Sequence, residues 1–177
     1  MDTQTGQTSK PFFLEEGARE KLGLEFERLS KEGINNHGLE IRLAGNNPSG
    51  KSKGMGVFAL RDFAENETVE FCHAILLGWR NRYTQDPSIK QYAYWHGCSC
   101  QECKTHGTQG LLPLGFGMVI NTAESREEAN TMWVTLPARR AVVFIATMPI
   151  PRGGEILTWW GQEYYNTWCK EAKKESK

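Results

Sequence analysis

Apolar residues in this chain come in short runs, broken by turn-forming clusters every 8–12 residues or so, and that punctuation points to a mainly β fold. Leu39-Glu40-Ile41-Arg42-Leu43 alternates with period two. Gly56 to Leu60, Thr68 to Cys72 and Ile75 to Leu77 are further strand candidates, with polar Asp62 to Glu67 between the first two. Met132 to Leu136 and Ala141 to Thr147 predict a hairpin across Pro137-Ala138-Arg139-Arg140, and Ile156 to Trp160 a final strand. Residues 79–112 read as irregular. Apolar stretches such as Ala141 to Ala146 are far too short to cross a bilayer, and Met1 to Lys10 contains no apolar leader segment.

One segment has a different period. Ala18, Leu22, Phe26 and Leu29 recur at spacings of four, four and three, which predicts a helix over roughly Leu14 to Lys31 ending at Gly33. Its apolar stripe has two uses: packing on its own domain or a homodimer contact. A Lys-rich helix or basic tail closes the chain. With 177 residues, one domain is expected, large enough for a core without disulfide staples. Lys plus Arg and Asp plus Glu both total 21, so no net basic field draws in nucleic acid. Five cysteines, three of them crowded at Cys98, Cys100 and Cys103, make a poor disulfide framework. They suit a reducing compartment, cytoplasmic or nuclear.

Three segments in order carry a resemblance. Lys53-Gly54-Met55-Gly56-Val57-Phe58-Ala59 leads to Val69-Glu70-Phe71-Cys72. Leu114-Gly115-Phe116-Gly117 precedes Asn121, and Phe144-Ile145-Ala146 runs through Ile150 to Gly153-Gly154-Glu155-Ile156-Leu157-Thr158. Together they resemble the SET domain, in its small stand-alone viral and bacterial form. The resemblance implies an α+β fold, mainly β, of the SET type: a β-clip of several small sheets with a threaded C-terminal segment, plus an N-terminal helix. It divides the chain into a tail (1–12), the helical region (13–37), a SET-like domain (38–166) with a central insert (79–112), and a basic C-terminal tail (167–177).

The resemblance also implies an activity, methyl transfer from S-adenosylmethionine to a protein lysine. Lys53, Gly54, Met55, Gly56, Phe116, Asn121 and Thr122 fall on its cofactor-binding stretches. The glycines let backbone approach a ligand closely. Tyr92 and Tyr94 of the insert are expected to face the substrate. A histone-like basic peptide is one partner class, and Glu124, Glu127 and Glu128 offer local acidity for it. No membrane or direct nucleic-acid partner is expected.

Two departures limit the carry-over. Asn121-Thr122-Ala123 stands where the family has Asn-His-Ser, and the second asparagine is matched by Asn130 after a loop insertion of three residues. Trp160 falls on the catalytic tyrosine, and indole has no hydroxyl and can only donate a hydrogen bond. Tyr164 follows closely as a candidate source of a hydroxyl beside Trp160. These departures leave open a degenerate SET fold that binds cofactor or peptide without turnover, or a fold repurposed for a small molecule. Cys98-x-Cys100-x-x-Cys103-x-x-His106 offers four soft or borderline ligands. The alternatives there are a zinc knuckle and reduced structural or redox thiols.

Overall fold

The computed structural model describes residues 17–32, 38–46, 52–78, 86, 89, 92–96 and 109–165. Its elements in order are helix α1 (Ala18–Glu32), β1 (Leu39–Leu43), β2 (Met55–Ala59), β3 (Thr68–Gly78), β4 (Tyr94–His96) and β5 (Gln109–Pro113). A 3-10 turn (Gly115–Met118), β6 (Asn121–Thr122), β7 (Thr131–Leu136), β8 (Ala141–Ala146) and β9 (Leu157–Thr158) follow, and a single helical turn, Gln162–Tyr164, ends the described chain. Strands β1 and β2 form a small antiparallel sheet, and the others a sheet ordered β4-β5-β3-β8-β7-β9-β6. This is the mainly β architecture expected of the sequence, with the strands gathered into one two-stranded and one seven-stranded sheet.

The hairpin is found where it was predicted. β7 pairs antiparallel with β8 from Thr131↔Ala146 to Leu136↔Ala141. Its connection is a 3-10 turn, Pro137–Arg139, closed by Arg140 in the left-handed region (φ 49°). The strand candidates at 68–72 and 75–77 are in fact one strand. β3 is continuous because it changes partner midway: Thr68 to His73 pair with β8, and Ala74 to Gly78 pair with β5. Between 79 and 112, the expectation of irregular chain is corrected by β4 and β5, which pair from Tyr94↔Leu111 to His96↔Gln109.

The C-terminal segment threads between distant elements. Gly153 N–H donates to Ala59 O and Ile156 N–H to Val57 O, so residues 153–156 lie against β2. β9 then runs parallel to both β6 and β7. Only Leu157 and Thr158 fall in strand geometry, where a longer strand to Trp160 was expected.

Buried Leu39, Val57, Phe63, Val69, Cys72, Tyr94, Leu111, Val142, Phe144, Ile150 and Ile156 make the main core. A second cluster joins α1 to the sheet through Phe26, Phe71, Val134, Leu136, Ala141 and Val143. Phe26 meets Phe71 with ring centroids 6.0 Å apart and His73 edge-on at 4.8 Å. The helix therefore packs on its own domain. Among the described residues, no helix is long and apolar enough to cross a membrane.

Candidate cofactor cleft and aromatic wall

Three chain segments meet at Asn121. β2 brings Met55 and Gly56, β6 brings Asn121 and Thr122, and the threaded segment brings Glu155. Asn121 Nδ2 donates to the Met55 carbonyl at 3.1 Å and to Glu155 Oε1 at 2.9 Å. Lys53 Nζ lies 3.7 Å from Glu155 Oε2, with both side chains partly buried. A Cβ on Gly56 would stand 2.8 Å from Glu155 Oε1, 2.9 Å from Ala44 Cβ and 3.0 Å from Asn121 Nδ2. A side chain at 56 would therefore meet Ala44 Cβ, which cannot swing aside, and would displace the carboxylate and amide. Gly54 has φ of 76°, a left-handed conformation that L side chains rarely adopt.

Asn130 locks the threaded segment in place. Its Nδ2 donates to Glu155 O and its Oδ1 accepts from Leu157 N–H, both at 2.8 Å. Thr131 Oγ1 donates to Leu157 O at 2.8 Å, and Thr158 Oγ1 to Thr131 O at 3.3 Å. Thr122, beside Asn121, turns its hydroxyl onto Ala123 O. Phe116 is half-buried in the 3-10 turn and packs on the main core.

An aromatic wall stands at the other end of β9. The Trp160 ring is stacked on Tyr164 (centroids 4.9 Å, 27°) and tilted against Tyr94 (4.2 Å, 41°). Tyr94 also meets Trp133 and Phe144 edge-on at 5.2 and 5.4 Å. Its hydroxyl donates to Gly117 O at 3.4 Å, and the residue is only 1% exposed. Burial, then the nearby Cys72 and Tyr164, hold the Tyr94 phenol well above its ordinary range. Tyr92, two residues before Tyr94, is exposed, with its backbone N–H on Ile89 O. The structure therefore brings Tyr94, Trp160 and Tyr164 together, and brings Lys53, Met55, Gly56 and Asn121 together.

Two carboxylates at or near these sites were not singled out from the sequence. Glu155 was legible only as one letter of a motif, and its contact with Asn121 spans 34 positions. Glu70 lies on β3 behind the Gly115–Gly117 turn, 6% exposed. Its Oε1 accepts weakly from Cys72 Sγ (3.7 Å), and its Oε2 has no partner among the described residues. Burial pushes its carboxyl up to about 7, against a smaller lowering by Cys72. The Cys72 thiol is raised too, by burial and then by the Glu70 charge. The thiol fits tightly, since a Cβ on Gly117 would come within 2.6 Å of Cys72 Sγ. Cys98, Cys100, Cys103 and His106 lie outside the described residues, among which no group of three or more metal-ligating side chains occurs.

The SET domain family profile matches residues 54–161, more than half of the chain. The chain belongs to the SET domain family. A Plasmodium falciparum protein assigned as a histone methyltransferase is similar in structure. It is 22% identical, with a TM-score of 0.49 over 73% of this chain and 96% of that one. No curated protein matches. The SET match includes both Asn121 and Trp160, while Lys53 and Tyr164 lie just outside its two ends.

Proposed function

We propose that this SET domain is a methyltransferase that uses S-adenosylmethionine and acts on a protein lysine amine. Support comes from the polarity of the cleft. Both hydrogens of Asn121 Nδ2 are spent on Met55 O and Glu155 Oε1, so the amide presents Oδ1 as an acceptor. The Lys53 ammonium supplies positive charge nearby. An acceptor and a cation together fit the ammonium and carboxylate of an amino-acid head, which S-adenosylmethionine carries. When bound, that cofactor supplies a methyl group on an electrophilic sulfonium.

The rest of the chain's work is positioning. Methyl transfer needs an uncharged amine held in line, and a misplacement of about 1 Å can cost roughly a hundredfold. Trp160 packs ring against ring with Tyr164 and Tyr94, which fixes the wall in place. The test is transfer of labelled methyl from S-adenosylmethionine to histone or lysate protein. Label on lysine that disappears in Asn121→Ala supports the reading, and absence of label with every substrate contradicts it.

Trp160 favours a second reading. By the sequence resemblance its indole falls on the catalytic-tyrosine position; it packs against the rings of Tyr94 and Tyr164 and has no hydroxyl of its own. On this reading the domain binds cofactor or peptide without turnover. Methylation that arises only in Trp160→Tyr identifies a silenced methyltransferase, whereas activity of the natural chain that survives Trp160→Ala identifies an enzyme that does not need the tyrosine.

A further inference from the structure

We infer that Glu155 is a positioning residue that fixes the orientation of the Asn121 amide and thereby makes the cleft selective for ligands bearing an α-ammonium group. The inference rests on the cofactor reading above and assigns the residue that sets its specificity. An asparagine amide has two faces of opposite polarity and nearly equal shape, so its orientation is decided by what surrounds it. Here two oxygens converge on one end of the amide: Met55 O at 3.1 Å and Glu155 Oε1 at 2.9 Å. A flipped Asn121 would set its own oxygen against both of them. That arrangement would lose two hydrogen bonds and add the repulsion of an ionised carboxylate, whose bonds are the stronger kind. Met55 O alone, a neutral acceptor on the exposed strand edge, holds the amide far more weakly.

Glu155 is itself held from three sides, which makes it a rigid reference. Its backbone bridges to Phe58, its carbonyl accepts from Asn130 Nδ2, and its second oxygen faces Lys53. Gly56 is the complement to this arrangement. Any larger residue there would push Glu155 Oε1 and Asn121 Nδ2 apart, at would-be contacts of 2.8 and 3.0 Å. The consequence is a fixed pattern: Oδ1 of Asn121 accepts from the ligand's ammonium. A ligand that lacks the amino-acid head gains nothing from it.

Calorimetry with two ligands tests this: S-adenosylhomocysteine, which carries the amino-acid head, and 5′-methylthioadenosine, which does not. The natural chain is compared with Glu155→Ala and Glu155→Gln. In Glu155→Ala, affinity for S-adenosylhomocysteine is expected to fall about tenfold or more, the scale of one mispaired polar group. Affinity for methylthioadenosine is expected to stay within about twofold. Glu155→Gln still offers an amide oxygen to Asn121 Nδ2 and is expected to recover most of the loss. Equal loss for both ligands, or no loss for either, overturns the role of Glu155 while leaving the cofactor reading in place. A natural chain that binds neither ligand overturns the cofactor reading, and this inference with it.

Discussion

Glu70 shows how one buried group ties the fold to pH. Its carboxyl is raised from 4.5 to about 7, chiefly by burial, so the folded chain keeps a proton that the unfolded chain gives up. Its contribution to stability is fully present below pH 4.5 and is lost as pH rises through about 7. The gap corresponds to roughly 3 kcal/mol. Glu70→Gln keeps the shape without the ionisation. Thermal melts from pH 5 to 8 are therefore expected to show the natural chain losing stability across that range and Glu70→Gln nearly flat, with the variant more stable at pH 8. Parallel curves would show that Glu70 is ionised in the fold at no cost. Gly117 makes a second residue-scale case. A methyl there would meet Cys72 Sγ at 2.6 Å and Phe144 Cε2 at 2.8 Å, both buried. Overpacking of this kind costs about 1–3 kcal/mol. Gly117→Ala is expected to lower the melting temperature accordingly, and an unchanged melt would contradict the packing described for the turn.

Elements whose partners are close in sequence were legible, and those defined by distant partners were not. The β7–β8 hairpin could be read because alternating apolar residues flank a short turn-forming link. α1 could be read from the four-residue spacing of Ala18, Leu22 and Phe26. The continuity of β3 could not, since it depends on β8 taking one half of the strand and β5 the other. β5 itself is a strand because Ala74 to Gly78 pair with it on one side and β4 on the other. β9 contracts to two residues because its hydrogen bonds come from β6, Asn130 and Thr131. The packing of α1 is open to a direct check. Phe26 is 4% exposed and joins the helix to Phe71 and His73. Phe26→Ala is expected to cost about 3 kcal/mol. Because Phe26 makes no contact with Asn121 or Glu155, cofactor affinity is expected to stay unchanged at temperatures where the variant is folded.

At the scale of the whole molecule, the SET domain brings two chemistries to the ends of one short parallel strand. A polar cluster gathers β2, β6 and the threaded segment at Asn121. An aromatic wall gathers β4 and the C-terminal turn at Trp160. Motif order made the cleft residues legible, since Gly54, Gly56 and Asn121 fall in family-like segments. The wall was only half legible. Trp160 could be placed by its spacing from Glu155, but Tyr94 reaches it through β4–β5 pairing that no local pattern announces. The even charge balance gives the chain no overall field, so its electrostatics are those of local features of this kind. Calorimetric titration of the full chain with S-adenosylmethionine, beside Asn121→Ala, tests the central claim most directly. Saturable binding at one site, abolished or weakened at least tenfold in the variant, is the expected result. No heat of binding at high micromolar cofactor, or equal binding by both chains, would contradict it.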